Sequence, residues 1–118
     1  MTTSTSIFIR VSIKSGDSLS ELANLVDYTL MALITPSDID GATDVSFQAS
    51  ATPDGQFVNC HNEMGIEVSI KVAPNRATSL ADKMLSMTPY RYIKIRLGKV
   101  GAPVVATADR VLTLGLKR

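Results

Sequence analysis

Apolar and polar positions alternate one for one in several short runs, and this period of two constrains the fold more than any other feature. In Ile7-Phe8-Ile9-Arg10-Val11-Ser12-Ile13-Lys14 the odd positions are all aliphatic, while the even ones carry Phe8, Arg10, Ser12 and Lys14. Successive strand side chains point to opposite faces, so such a run describes a half-buried strand. The pattern returns over residues 45–50 (Val45, Phe47 and Ala49 inward) and over residues 67–72 (Val68, Ile70 and Val72 together). It returns again over residues 90–97, with Ile93, Ile95 and Leu97 inward and Tyr92, Lys94 and Arg96 outward. The last run, residues 110–116, places Leu112, Leu114 and Leu116 inward. Between the runs stand Ser15-Gly16-Asp17, Thr35-Pro36-Ser37-Asp38, Pro53-Asp54-Gly55, Pro74-Asn75 and the Gly/Pro-rich stretch from Gly98 to Pro103. Pro presets φ and Gly accepts positive φ, so these are turns. Strands recurring with turns between them read as a β-sandwich or barrel.

Two stretches are less plain. Ser18-x-x-Glu21 has the form of a helix capping box, and Leu19, Leu22, Val26, Leu30 and Leu33 follow at helical spacing. The rival reading uses two short strands, one near Leu22 and one over residues 29–34, with a turn near Asp27. Residues 79–85 could form one or two helical turns, with Leu80 and Met84 on one side. A chain of 118 residues is one domain with room for a real core. The expected division is a small polar arm over residues 1–6 and a single domain over residues 7–118. The start shows no cationic stretch before an apolar core, and the longest apolar run is residues 30–34. Cytosolic synthesis and no membrane partner are therefore expected.

Net charge is +1, which provides no global reason to expect nucleic acid. Its distribution along the chain is uneven. Residues 1–14 carry +2, residues 15–70 carry nine acids and no Lys or Arg, and residues 71–118 carry +8. Either the segments interleave and pair across neighbouring strands, or they form opposite faces that favour association.

No constellation of residues calls for an enzyme. His61 is the only histidine and Cys60 the only cysteine, too few for a zinc site or a disulfide. Cys60-His61 as a nucleophile and base would place adjacent side chains on opposite sides of an extended segment. Asp38, Asp40 and Asp44 around Gly41 lack the EF-hand spacing and read as a solvated acidic loop, although a Ca²⁺ shared with other loops would use such oxygens. Gly98-Lys99-Val100-Gly101 lacks the ending of a phosphate loop. Tyr90-Arg91-Tyr92-Ile93-Lys94-Ile95-Arg96 interleaves aromatics and bases as single-strand binders do, but also as an exposed sheet face covered by long cations does. No cofactor and no metal is expected.

The ordered series Ser46-Phe47-Gln48-Ala49-Ser50, Pro53-Asp54-Gly55-Gln56-Phe57, Gly65-Ile66-Glu67-Val68, Tyr90-Arg91-Tyr92-Ile93-Lys94-Ile95-Arg96, Ala102-Pro103-Val104-Val105 and Ala108-Asp109-Arg110-Val111-Leu112-Thr113-Leu114 resembles a family of small tailed-bacteriophage virion structural proteins. The late Tyr-Ile-Lys-Ile-Arg strand also resembles discoidin-like, galactose-binding jelly rolls. The resemblance implies an all-β chain, a single-domain jelly-roll-like β-sandwich with at most one short helix, and strand rather than helix over residues 29–34. It implies a non-enzymatic virion component, with capsid decoration or cementing preferred, acting on the major capsid protein or another virion protein. A homo-oligomer is expected, and a trimer would suit that role. The residues expected to make the contact are the arm, Thr2, Thr3, Ser4, Thr5 and Ser6, the adjacent Phe8 and Arg10, and the basic strand residues Arg91, Lys94 and Arg96. Rival expectations are a tail, baseplate or fibre-associated module, and a host-surface carbohydrate-binding module using Tyr28, Tyr90 or Tyr92 as stacking platforms.

Overall fold

The computed structural model describes residues 6–80 and 90–118. The strands are β1 (Ser6–Ile13), β2 (Ala23–Asn24), β3 (Thr29–Ile34), β4 (Asp44–Ser50), β5 (Val58–Asn59), β6 (Ser69–Lys71), β7 (Ala77–Ser79), β8 (Tyr92–Lys99), β9 (Ala102–Pro103) and β10 (Arg110–Lys117). One sheet has the order β1-β10-β3-β7. The other runs β2-β8-β4-β5, with β6 also on β4 and β9 on β8. Every pairing is antiparallel. The chain passes repeatedly from one sheet to the other, so each sheet is assembled from distant segments. The protein is an all-β sandwich, and no helix occurs among the described residues.

The alternation seen in the sequence becomes the core. Val11 and Ile13 of β1, Leu30 and Leu33 of β3, and Leu112, Leu114 and Leu116 of β10 turn inward from the first sheet. Val45, Phe47 and Ala49 of β4 and Ile93, Ile95 and Leu97 of β8 meet them from the second. Each fully buried large side chain contributes about 1.5–3 kcal/mol. Phe47 is the one Phe or Tyr among the buried core residues, so aliphatic packing carries most of that stabilisation.

The ambiguous stretch is extended. Ser20 N–H donates to the Ile95 carbonyl, the Ser18 carbonyl accepts from Leu97 N–H, and Leu25 N–H donates to the Arg91 carbonyl. Residues 18–25 thus lie along the free edge of β8, whose backbone groups need partners. Ser20 Oγ accepts from Ile95 N–H at 2.9 Å, and the two ends of the capping-box pattern serve sheets instead, Ser18 through its carbonyl to Leu97 and Glu21 through its N–H to Ser12. Strand β3 then occupies Thr29–Ile34, as the strand reading requires. Ser6 opens β1, and Ser79 ends β7 rather than opening a helical turn. Thr2, Thr3, Ser4 and Thr5, and the rest of the proposed turn from Ala81 to Leu85, lie outside the described residues.

Gly98 lies in β8 opposite Pro103, beside the tight β8–β9 turn, at φ +84°. A Cβ there would run into the Ala102 carbonyl oxygen and lie 3.0 Å from Val104 N. Gly98→Ala should therefore lower unfolding free energy by roughly 3 kcal/mol, from left-handed backbone strain plus a clash with main chain. Urea denaturation of the two proteins measures it.

Candidate functional site

The two outer faces of the sandwich differ, and the difference starts at Arg96. On β8 it points away from the core, as alternation requires, yet only 6% of it is exposed. Its Nη1 donates to Ser46 Oγ at 3.2 Å and its Nη2 to Asn59 Oδ1 at 2.8 Å. Ser46 Oγ donates onward to the Gly98 carbonyl, and Gln48 Nε2 donates to Asn59 Oδ1. Glu67 lies 3.9 Å from the guanidinium and accepts the Val100 N–H at 2.9 Å. Strands β4, β5 and β8, the segment leading into β6 and, through Glu67, the turn after β8 are joined by this one side chain. Arg96 is therefore a structural cation and not an exposed contact. Its burial overturns the exposed-face expectation, because Asn59, Glu67 and the Val100 turn close over it. Lys94, beside it, lies 4.5 Å over the Phe57 ring. Arg91 stays exposed and stacks 5.6 Å from the Tyr92 ring.

The acidic and basic segments interleave. Lys71 Nζ reaches Asp44 at 2.9 Å across the β4–β6 register. Arg110 grips Asp40 with Nε at 2.9 Å and Nη2 at 3.0 Å, and also meets Asp38 at 3.2 Å. Thr107 donates to the same Asp40 oxygen through its hydroxyl, at 2.6 Å. These contacts tie the loop before β4 to the start of β10. They also engage the carboxylates that could have shared a calcium ion. The hydrogen bonds from Arg110, then those from Thr107, hold the Asp40 carboxyl well below the usual range. Asp44 is lowered chiefly by its hydrogen bond from Lys71.

Cys60 and His61 diverge. The thiol is buried and burial pushes its pKa up to about 11, while His61 is exposed with Nδ1 3.3 Å from the Asn59 carbonyl. A protonated, inward thiol is a poor nucleophile. Beside them is a cleft of about 400 Å³ whose lining includes Ser50, Gln56, Asn59, His61 and Tyr90. Tyr90 is 41% exposed there, whereas Tyr28 is capped by Arg118 at 4.8 Å from its ring. Of the three tyrosines read from the sequence as platforms, Tyr90 is the one in this lining; the polar groups around it come from the end of β4 (Ser50), from β5 (Asn59) and from the residues flanking β5 (Gln56 and His61).

The first sheet has an open outer face. Phe8, Ile34 and Val111 stand on it at 66%, 36% and 41% exposure. The cross-strand register places Phe8, Gly115, Ala32 and Ser79 in one row, and Arg10, Thr113, Ile34 and Ala77 in the next. A Cβ on Gly115 would lie 3.2 Å from the Phe8 ring and 3.1 Å from Ala32 Cβ, so the ring sits over a glycine. The register shifts between Gly115 and Leu116, leaving Met31 without an opposite residue. A hollow of about 170 Å³ results, with Phe8, Met31, Ala32, Gly115 and Lys117 in its walls. Phe8 and Arg10 thus share one surface, whereas Arg91 and Lys94 belong to the other sheet. Gly115, Ala32 and Lys117 complete the surface and carried no sequence signal of their own.

An all-β sandwich with one closed outer face and one open one is the class of protein this geometry defines. No family model matches the chain, and no curated protein matches it. Among solved structures it is similar to the crystal structure of SPBc2 prophage-derived protein YomS. The TM-score is 0.56 at 10% sequence identity, over 100% of this chain and 97% of that one. The two share a fold across their full lengths.

Two outcomes follow from the ion networks. Arg96→Ala should destabilise the protein by roughly 3 kcal/mol, because Asn59, Ser46 and Glu67 lose a buried charged partner; thermal or urea unfolding reads this. Asp40 has a folded pKa below its unfolded value of about 3.9, so its contribution is full above that pH and fades as pH falls further. Asp40→Asn should therefore cost more stability at neutral pH than at about pH 2, and its unfolding midpoint should vary less across that acid range than the parent's. Equal losses at both pH values would show that the pair contributes no linked stability.

Proposed function

We propose that this protein is a non-enzymatic structural component of a bacteriophage virion, and that it decorates or cements the capsid by binding the outer lattice. The observation that carries the reading is the full-length fold likeness to a prophage-derived protein. The ordered strand series that resembles small phage virion proteins supports it, as does an outer face with Phe8, Ile34 and Val111 exposed. Large apolar side chains exposed together on one sheet face are the kind of surface that marks an interaction site. Binding of that surface to the assembled lattice, and not to free subunits, stabilises the lattice by mass action. Contacts to several capsomers add avidity.

A second reading, recognition of a host-surface glycan, is favoured by the cleft at Tyr90, where an exposed ring stands among polar side chains. A tail or baseplate position uses the same fold at few copies.

Mass spectrometry of purified particles separates these. Decoration predicts a copy number comparable with that of the major capsid protein. It also predicts release at about 1 M salt, where the screening length falls to about 3 Å, if Arg10 and its neighbours carry the contact. A handful of copies places the protein in the tail, absence from particles overturns the virion reading, and retention in high salt assigns the contact to the apolar face.

A further inference from the structure

Strand β1 is an edge. Ser12 N–H donates to Glu21 Oε1 at 3.1 Å, and the Ser12 carbonyl accepts the Glu21 N–H, both on the side away from β10. Backbone groups of alternate residues point to the same side of an antiparallel strand. With β1 pairing to β10 in unbroken register, Ser6, Phe8 and Arg10 therefore direct their N–H and C=O groups to that same outer side. Ser12 is capped there by Glu21, whereas no described residue pairs with Ser6, Phe8 or Arg10. Exposed edge groups of this kind are a template for another strand. The side chains flanking the edge are specific as well. Phe8 and Arg10 stand exposed on the outer face, and Ile7 and Ile9 are half-buried at the rim of the core. The strands of this sheet contain Arg10, Arg110 and Lys117 and no acid; of the described acids beside them, Asp38 and Asp40 engage Arg110, and Glu21 on the edge is taken up by the Ser12 N–H, which leaves Arg10 without an acidic partner among the described residues. A second copy would bring the same cations to the edge, so charge favours a different, acidic partner.

We infer that the free edge of β1 accepts an extended acidic segment of another protein as an added antiparallel strand. Main-chain bonds to Phe8 and Arg10 supply affinity, and the outward side chains supply selectivity. Directly opposite residues approach to about 5 Å, so the incoming strand places a carboxylate beside Arg10 and, two residues on, an apolar side chain beside Phe8. Its intervening residues are aliphatic and extend the rim at Ile7 and Ile9. The inference shares a surface with the virion reading but does not depend on where the protein acts, and particle stoichiometry leaves it untouched.

The test uses the ¹⁵N-labelled full chain and the capped peptide Thr-Val-Glu-Val-Phe-Val-Thr, with a control in which Lys replaces Glu. The expected results are at least tenfold slower amide exchange at Phe8 and Arg10 with the Glu peptide, and at least tenfold weaker binding of the Lys peptide. Arg10→Glu should reverse that preference. Phe8→Pro should abolish binding while leaving the β1–β10 bonds, because it removes only an N–H that faces the open edge. Exchange at Phe8 and Arg10 that is already slow in the protein alone, or that slows with protein concentration without peptide, would overturn the inference. So would unchanged exchange at saturating peptide, or equal binding of the two peptides.

Discussion

Arg96 makes the two outer faces of this sandwich different. A guanidinium on the solvent side of a strand ordinarily snorkels into water. Here Ser46, Asn59 and Glu67 converge on it from three neighbouring elements and bury it. Once ordered in this way, the network draws the β5–β6 connection and the Val100 turn onto the second sheet. Among the described residues the cations on the outer face of the first sheet, Arg10 and Lys117, gather no such set of partners, and small residues (Gly115, Ala32, Ala77) leave that face open.

Charge was divided along the chain but not across the folded molecule. The acids of the middle segment meet the bases of the last segment at Asp44–Lys71, Asp40–Arg110 and Glu67–Arg96. Each pair links residues that are distant in sequence or adjacent only through sheet register. The pairing consumes opposite charges in the interior and at the loop ends. It leaves the strands of the first sheet with Arg10 and Lys117 and no acid of their own, and the one described carboxylate on the β1 edge, Glu21, is taken up by the Ser12 N–H. The same electrostatics that closes one surface therefore biases the other towards an acidic partner.

A shared fold at 10% identity means that different side chains satisfy the same two-sheet frame. What distinguishes this chain lies in its surfaces, where function is grafted onto a common scaffold. Here that surface is a phenylalanine over a glycine, beside a strand edge at which no described residue pairs with Phe8 or Arg10.

Alternation in the sequence determined most of the frame. A period of two specifies which side chains share a face, and Ile93, Ile95, Leu97, Leu112 and Leu114 all became fully buried as read. Turn residues placed the breaks, because their φ preferences are local. The helical spacing over residues 18–34 was misleading, since backbone groups along β8 needed partners and an extended segment supplied them. Alternation also could not reveal that Arg96 would be covered, or that Phe8 would not be. Those outcomes depend on which strands become neighbours, and strand order is set by long-range packing between segments as far apart as β1 and β10. The cluster at Arg96, the Tyr90 cleft and the open edge of β1 are consequences of that order, and only the tertiary structure decided them.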